Sequence, residues 1–528
     1  MSSGKPWWRG ASIYQVYIRS FCDSDGDGQG DLKGLLSRLD YIAALGVDAI
    51  WLSPVHPSPD RDWGYDVSDY DGVHPDYGTL ADFDALLRAA HAKGLKIILD
   101  EVLAHTSDEH AWFAASRDGD ASKRDWYVWA DPQDDGTVPN NWLSVFGGPA
   151  WAYQPARRQY YHHKFLRQQP KLNWTQPDAR EAALKVLDTW LTRGVDGFRL
   201  DVANAYLHDA ALADNPAIPA RERGAVEWSA AANMQRHFHD SNLEENKPLL
   251  DVIRRRVDAF EDRFVFGEFS EEFERSGCYL DSKTGLHAGY NFALLVAKTA
   301  EEIRAHLETL ARFPDHWPCI SFSNHDVTRT ASRFGDGSAK LMLALLASLR
   351  GTILLYQGEE LGLPEVDLQR GQLRDPVGDL YYPLFKGRDG CRTPMPWDRS
   401  SANLGFSTGT PWLPLGPEHA ALAAASQEAN PNSTLAYAKK LMAARNSHPA
   451  LREGDLTLLD GLAFIRQAGG ERIVCAFNLG QGEMQLTLPG PVRDLGLGTG
   501  SVRRDGTVLA LGPLSAFLGL LEGGQGGA

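Results

Sequence analysis

Cysteine is scarce in this chain. There are five in 528 residues (Cys22, Cys278, Cys319, Cys391 and Cys475), an odd number with no CxxC pair. Such spacing argues for neither a zinc site nor a disulfide framework, and leaves reduced thiols in a cytoplasmic protein as the expectation. No run of about 18 apolar residues occurs, so no membrane-spanning helix is expected. The first ten residues are polar and Trp-bearing, without the apolar core of a secretory signal. Basic runs are also missing, and the formal net charge is −16. Nucleic acid and anionic membrane surfaces are therefore not expected partners, whereas a small neutral or cationic ligand is. No organic cofactor is expected, and the assembly expected is a monomer or homodimer.

What is present is a rhythm. The chain is 43% hydrophobic, enough for two or three domains with a large core. For some 350 residues short apolar runs alternate with amphipathic stretches. Strands are expected at 12–21, Ala49–Leu52, 95–99, Gly197–Leu200, 263–266, 319–322 and Thr352–Tyr356, with a further candidate at 291–295. Helices are expected at 32–45, 80–93 with Gly94 beyond its end, 179–192, 300–312 and 340–350. Asp178 and Glu181 have the spacing of a capping box for the third of these. Eight strands with helices between most of them imply βαβ units and an α/β (β/α)8 TIM barrel.

Three breaks interrupt the rhythm. Residues 105–173 are rich in Trp, Asp, Pro and Gly, too long for a loop and better read as an inserted domain after the third strand. Residues 364–430 are irregular. After about residue 449 short alternating runs at 456–459, 462–466, 472–478 and 484–488 read as an antiparallel β domain with a flexible Gly-rich tail. The expected layout is a catalytic barrel over 1–104 and 174–449, the insertion over 105–173, and a C-terminal β domain over 450–528.

Charges gather where the strands end. An unpaired ion in an apolar interior is costly, yet Gly197-Phe-Arg-Leu-Asp201 carries Arg199 and Asp201 two apart, on one face of a strand. The third strand runs into Asp100 and His105, the fifth into Glu268, and the seventh into His325 and Asp326. In a barrel these ends converge on one mouth. Several carboxylates around one small cavity suit glycoside cleavage, whose retaining form uses two carboxyl groups about 5–5.5 Å apart. Asp201 and Glu268 end adjacent strands. Arg199 would hold Asp201 ionised as a nucleophile, and partial desolvation would raise Glu268 toward an acid role. Asp326 could grip sugar hydroxyls and crowd Glu268 with like charge. His105 and His325 would donate to ring hydroxyls.

Asp100-x-Val-x-x-His105, Gly197-Phe-Arg-Leu-Asp201, Glu268 and Asn324-His-Asp326 resemble, in order, the four signature regions of glycoside hydrolase family 13, the α-amylase superfamily. Gln169-Pro-Lys-Leu-Asn173, Tyr356-Gln-Gly-Glu-Glu360 and the stretch from Arg388 to Trp397 are similar to its α-glucosidase and oligo-1,6-glucosidase branch. The resemblance implies that Asp201 is the nucleophile, Glu268 the acid/base and Asp326 the transition-state stabiliser. It also implies that Asp62, Tyr65, His105, Phe146, Phe165, Arg199, His325 and Arg392 line the pocket for a non-reducing glucose. Two departures stand out: Ala104 replaces an Asn that helps bind calcium in many amylases, and Lys171 replaces an Asp of the QPDLN mark. An interface calcium is accordingly not expected.

Asp23-Ser-Asp-Gly-Asp-Gly-Gln-Gly-Asp31 places carboxylates at every second residue among glycines, a spacing that wraps oxygens around a hard cation. Gly34 at the twelfth position excludes an EF-hand. By resemblance to the branch, Asp23, Asp25, Asp27, Asp31 and the backbone of Gln29 would hold one structural Ca²⁺ or Mg²⁺. Val202, beside Asp201, matches relatives tolerant of α-1,6 links. The function expected is a retaining, exo-acting α-glucosidase on maltose, isomaltose, sucrose-like or aryl α-glucosides, with transglucosylation. The rival is a sucrose isomerase, trehalulose-type synthase or other α-glucosyl transferase on the same scaffold. A catalytically dead binding relative is disfavoured, because all three carboxylates are retained.

Overall fold

The computed structural model describes residues 5–222, 230–270, 279 and 284–522; Cys278 and the Gly-rich tail over 523–528 lie outside them. Eight parallel strands form one sheet: β1 (Ser12–Val16), β2 (Ala49–Leu52), β3 (Lys96–Glu101), β4 (Gly197–Leu200), β5 (Phe264–Phe269), β6 (Ala288–Asn291), β7 (Cys319–Ile320) and β8 (Thr352–Tyr356). Their order is β7-β8-β1-β2-β3-β4-β5-β6. A parallel bridge between Gly289 and Pro318 joins the two ends of that order, so the sheet closes into a barrel. The strands are buried along nearly their whole length, as expected where helices cover the outer face.

Register positions the chemistry. Asp100 pairs with Arg199, Arg199 with Phe266, and Glu268 with Tyr290. Because side chains alternate along a strand, Asp100, Arg199, Phe266, Glu268 and Tyr290 share the inner face, and Asp201 continues it beyond β4.

Several elements differ from expectation for local reasons. The first strand stops at Val16 and gives way to a 3-10 turn at Ile18–Ser20, where Arg19 is buried and bonded to Asp60. The helix expected over 32–45 breaks at Arg38 into Leu32–Ser37 and Leu39–Leu45. Ser37 Oγ donates to the Gly34 carbonyl there, which competes with helix propagation. The helix over Pro177–Arg193 begins with Pro at its first turn and Gln176 before it, so Asp178 lies inside the helix and the capping box is absent. The strand candidate over 291–295 is instead the end of β6 followed by a helical turn, Ala293–Val296. Asn291 Oδ1 accepts from the Ala293 N–H and ends the strand. β5 runs three residues past its expected end, so Glu268 sits within it.

The segment after β3 carries a three-stranded antiparallel sheet (Trp129–Ala130, Trp151–Gln154, Gln159–His162). After β8 an irregular stretch leads to a helix at Thr434–Ser447 that the sequence reading did not anticipate. Two antiparallel sheets of five and three strands follow, with Ile465, Val474, Leu486, Leu509 and Phe517 packed between them. Arg445 is fully buried and donates to the carbonyls of Ala347, Gly351 and Leu451, stapling this end of the chain to the barrel. The four described cysteines are buried free thiols. No helix among the described residues is long and apolar enough to cross a membrane.

Candidate active site

Arg199, with no exposed surface, ties together the ends of three strands. Its Nη1 lies 2.7 Å from Asp100 Oδ1 and 2.8 Å from Asp201 Oδ1; its Nη2 lies 2.6 Å from Glu268 Oε2. The same Nη2 donates to the Tyr290 hydroxyl at 3.1 Å, and that hydroxyl donates to Glu268 Oε1 at 3.0 Å. Asp100 also accepts from Tyr65 Oη at 2.8 Å and Trp51 Nε1 at 3.2 Å. One guanidinium thus serves three carboxylates, and its charge is divided among them.

This sharing changes the reading of Arg199 as the group that keeps Asp201 ionised. Burial pushes Asp201 up to about 7 against the pull of Arg199, and Asp100 and Asp326 add like charge. Burial likewise raises Glu268 to about 7, again opposed by Arg199 and reinforced by Asp201 and Asp326. Burial thus leaves both carboxyls less ready to ionise than a free carboxylate, with Arg199 bonded to each.

Asp326 has the opposite surroundings. Burial works against its charge, but the positive charges of Arg388 and Arg392, with Arg199 beyond them, favour the carboxylate and hold it below the usual range. Arg392 Nη2 lies 2.8 Å and Arg388 Nη1 3.3 Å from Asp326 Oδ1. Burial drives His325 down to about 3, so at neutral pH it faces Asp326 Oδ2 as a neutral ring, 3.3 Å away. Gln15 Nε2 donates to His325 Nδ1, which assigns the ring proton to Nε2, toward Asp326.

Asp62, Tyr65, His105, Phe146, Phe165, Asp201, Val202, Glu268, Asp326 and Arg388 line one cavity of about 540 Å³. Arg199, His325 and Arg392 stand behind its wall, each with no exposed surface. Tyr65 stacks on His325 at 5.2 Å between ring centres. The tight turn that carries Tyr65 is held by Asp66, whose carboxylate accepts from the N–H groups of Arg61 and Asp62. Phe146 packs against Phe165 at 5.4 Å, and Arg388 lies over the Phe146 ring. His105 spends its Nε2 proton on the Tyr65 carbonyl at 2.9 Å rather than pointing it into the cavity, and burial lowers it to about 4.

Four residues had no site role in the sequence reading. Arg388 pairs with Asp62 at 2.7 Å and Asp375 at 2.8 Å as well as with Asp326. Gln169 donates to Asp62 Oδ2 and to the Tyr65 carbonyl, both at 3.0 Å. Tyr290 and Asp100 complete the Arg199 knot. Arg388 and Gln169 lie in motifs already singled out. Tyr290 had no signal, because its strand was placed three residues too late.

In the loop after β1, carboxylate oxygens of Asp23, Asp25 and Asp27 lie within 4.8 Å of one another. Asp27 is raised by burial and by the charges of Asp25, Asp23 and Asp76, the crowding that a bound cation would relieve. Asp23 already accepts from the N–H groups of Asp25, Gly26 and Gly28. Asp31 is not among the converging groups. It caps the helix at Leu32–Ser37 by accepting from the Gly34 N–H, and also accepts from Ser24.

Comparison with known proteins gives a consistent answer. The family described as "Alpha amylase, catalytic domain" matches residues 15–454. A "Probable alpha-glucosidase" of Rhizobium meliloti (strain 1021) is 47% identical over 504 residues, covering 92% of this chain and 91% of the relative. An "Oligo-1,6-glucosidase" of Parageobacillus thermoglucosidasius is 35% identical over 92% of each chain. Among solved structures, the "alpha-glucosyl transfer enzyme, XgtA" superposes with a TM-score of 0.94 at 45% identity, over 98% of this chain and all of that one. The "trehalulose synthase MutB from Pseudomonas mesoacidophila MX-45" gives 0.88 at 32% identity over the same shares. The chain belongs to the α-amylase family of glycoside hydrolases, in its α-glucosidase and oligo-1,6-glucosidase branch.

Proposed function

We propose that this protein is a retaining α-glucosidase that releases glucose from the non-reducing end of short α-glucosides and also transfers it to acceptors. The observation that carries this reading is the placement of Asp201 and Glu268, joined through Arg199, in one cavity with Asp326, which Arg388 and Arg392 hold. With the proton on Glu268, Asp201 is the free nucleophile. Its carboxylate attacks the anomeric carbon while Glu268 protonates the leaving oxygen, giving a glucosyl ester. Glu268, now a carboxylate, takes a proton from water or an acceptor hydroxyl that opens the ester, and the anomeric configuration is retained. Asp326, kept charged by two arginines, stabilises the oxocarbenium-like transition state. Asp62 and Arg388, ion-paired in the lining, are suited to hold hydroxyls of the terminal glucose.

The structural likeness to a glucosyl transfer enzyme and a trehalulose synthase favours a second reading, transfer or isomerisation as the main reaction. Product analysis separates the two. A hydrolase gives equal amounts of glucose and fructose from sucrose and two glucoses from maltose, the glucose from the non-reducing end being released as the α-anomer; an isomerase returns rearranged disaccharide. Glu268→Gln is expected to lower turnover by ~10²–10⁴-fold, and Asp201→Asn by at least as much. Near-normal activity in either, or an initial β-anomer, would sink the reading.

Asp23, Asp25 and Asp27, with the carbonyl of Gln29, are proposed to hold one structural Ca²⁺ or Mg²⁺. Removing the ion with chelator should lower the melting temperature, and restoring Ca²⁺ or Mg²⁺ should return it, while activity below the transition is unchanged. An unaltered melting temperature would refute the site. The compartment proposed is the cytoplasm, and the assembly a monomer or homodimer.

A further inference from the structure

The residue after Asp201 is strained. Val202 has φ +36° and ψ +50°, a left-handed conformation that a β-branched residue rarely adopts. In that conformation its N–H lies 3.4 Å from Glu268 Oε2. The strain therefore aims a backbone donor at the acid/base carboxyl.

The surroundings hold it there. Ala203–Ala205 form a 3-10 turn, and three successive carbonyls are each taken by a different part of the chain. Ala203 O accepts from Asn246 Nδ2 at 2.7 Å, Asn204 O accepts from the Asn242 N–H at 2.8 Å, and Ala205 O accepts from the Lys171 ammonium. Lys171 is only 2% exposed. Burying an ammonium without a carboxylate partner is costly. Burial and the charge of Lys164 lower Lys171 to about 7, and Asp240, which opposes this, is already bound to Lys164, His237 and Asn215. The amine donates to Ala205 O in either protonation state. The backbone of Lys171 is itself fixed: it bridges His105, and the next N–H, of Leu172, donates to Ala104 O at 3.1 Å. The two departures from the family motifs, Ala104 and Lys171, thus sit on one seam between β3 and the inserted segment. A carboxylate in place of Lys171 could not donate to Ala205.

We propose that Lys171 is a positioning residue for catalysis: its ammonium pins the Ala205 carbonyl, which keeps the turn wound, Val202 left-handed, and the Val202 N–H set against Glu268. This rests on the roles assigned above to Asp201 and Glu268. A backbone N–H on the charged form of a carboxyl favours ionisation. Releasing it should therefore raise Glu268, which otherwise faces Arg199, Tyr290, Asp201 and Asp326. Lys171→Met and the conservative Lys171→Arg are compared with the wild type, along with Asn246→Ser, which loosens the neighbouring Ala203 carbonyl. Active sites are titrated with a covalent cyclitol epoxide, so unfolded protein does not count.

Lys171→Met should lower kcat per titrated site at least 30-fold with KM within twofold. The basic limb of its kcat/KM profile, set by Glu268, should move up by about half a pH unit. Lys171→Arg should recover most of both. Asn246→Ser should show the same signature more weakly, and it carries the test if Lys171→Met does not fold. Wild-type kcat per site and an unmoved basic limb in these variants, with only thermal stability lowered, would overturn the positioning role. Failure of the wild type to cleave α-glucosides would instead sink the functional reading on which the proposal rests.

Discussion

Two clusters of three carboxylates flank the cavity, and Asp201 and Glu268 in one behave oppositely to Asp326 and Asp375 in the other. On one side Asp100, Asp201 and Glu268 share a single cation, Arg199. On the other Asp62, Asp326 and Asp375 share two, Arg388 and Arg392. Burial opposes the charge on both sides, and the cations that each carboxyl meets decide how far it is offset. Burial raises Asp201 and Glu268 to about 7 on the first side. On the second the arginines overcome it at Asp326 and at Asp375, which Arg388 with its hydrogen bonds holds down to about 2, but not at Asp62, which burial still raises against Arg388. The lesson is chemical. A retaining glycosidase needs a protonated acid and an ionised stabiliser, and Glu268, sharing one arginine, and Asp326, facing two, meet those two conditions.

The harshest way to break the comparison is to remove the single cation. Arg199→Leu leaves three buried carboxyls without a counter-charge, a change of the kind that costs about 3–5 kcal/mol. Arg199→Lys keeps the charge but loses the planar fork that reaches three partners at once. With the lowering influence gone in Arg199→Leu, and weakened in Arg199→Lys because one ammonium cannot reach all three carboxyls, Asp201 and Glu268 should both rise further. The acid limb of activity, where Asp201 must lose its proton, then moves to higher pH. We expect Arg199→Lys to retain about 1% of wild-type kcat/KM at pH 7, since each tenfold corresponds to about 1.4 kcal/mol, and to recover partly at pH 8–9. An unshifted acid limb would show that Arg199 does not set the protonation of the pair.

A gentler test reads the two halves through stability. Asp201 and Glu268 have folded values above their unfolded ones, near 4. Their contribution is therefore complete below about pH 4 and is lost as pH rises through about 7. Asp326 and Asp375 have folded values below the unfolded one, so their contribution is present above about pH 4 and is lost only in acid. Asp201→Asn should consequently gain melting temperature relative to the wild type by a few degrees more at pH 8 than at pH 5. Asp326→Asn should lose melting temperature equally at both. Parallel pH dependence in the two variants would erase the distinction between the halves.

The halves also differ in how far the sequence discloses them. Asp201, Glu268 and Asp326 are legible because each is a charge at the end of an apolar strand, an anomaly that needs no neighbour to be noticed. The barrel is legible for the same reason, since a short continuous apolar run and an amphipathic helix are each local. Asp100 is legible as a charge in the same way, but its bond to Arg199 and the place of Tyr290 are different. Their roles depend on register across strands, and nothing in the residues around Tyr290 shows that it lies beside Glu268. Arg388 was visible in a motif, yet its reach to Asp62, Asp326 and Asp375 is a property of the folded loop. The sharing of Arg199 was the costliest omission. A pair two apart on a strand looks like one salt bridge, and only the packing of β3, β4 and β5 reveals that the arginine serves three acids. Lys171 belongs to the same class, since its departure from the motif was plain but its acceptor, Ala205, was not.

The smallest effect should come from the neutral member of the knot. Tyr290 Oη accepts from Arg199 and donates to Glu268 Oε1 at 3.0 Å, and this hydrogen bond lowers Glu268 against the effect of burial. Tyr290→Phe removes one hydroxyl and leaves every charge in place. A neutral hydrogen bond contributes about 1 kcal/mol net, so the expected loss in kcat/KM is roughly threefold to tenfold. The basic limb should move upward by less than a unit, because the charged form of Glu268 loses a donor. The acid limb, set by Asp201, should stay where it is, since Tyr290 makes no bond to that carboxylate. Movement of both limbs together would mean that the hydroxyl acts by placing Arg199 rather than by touching Glu268, and would make the knot a rigid unit instead of a set of separable contacts.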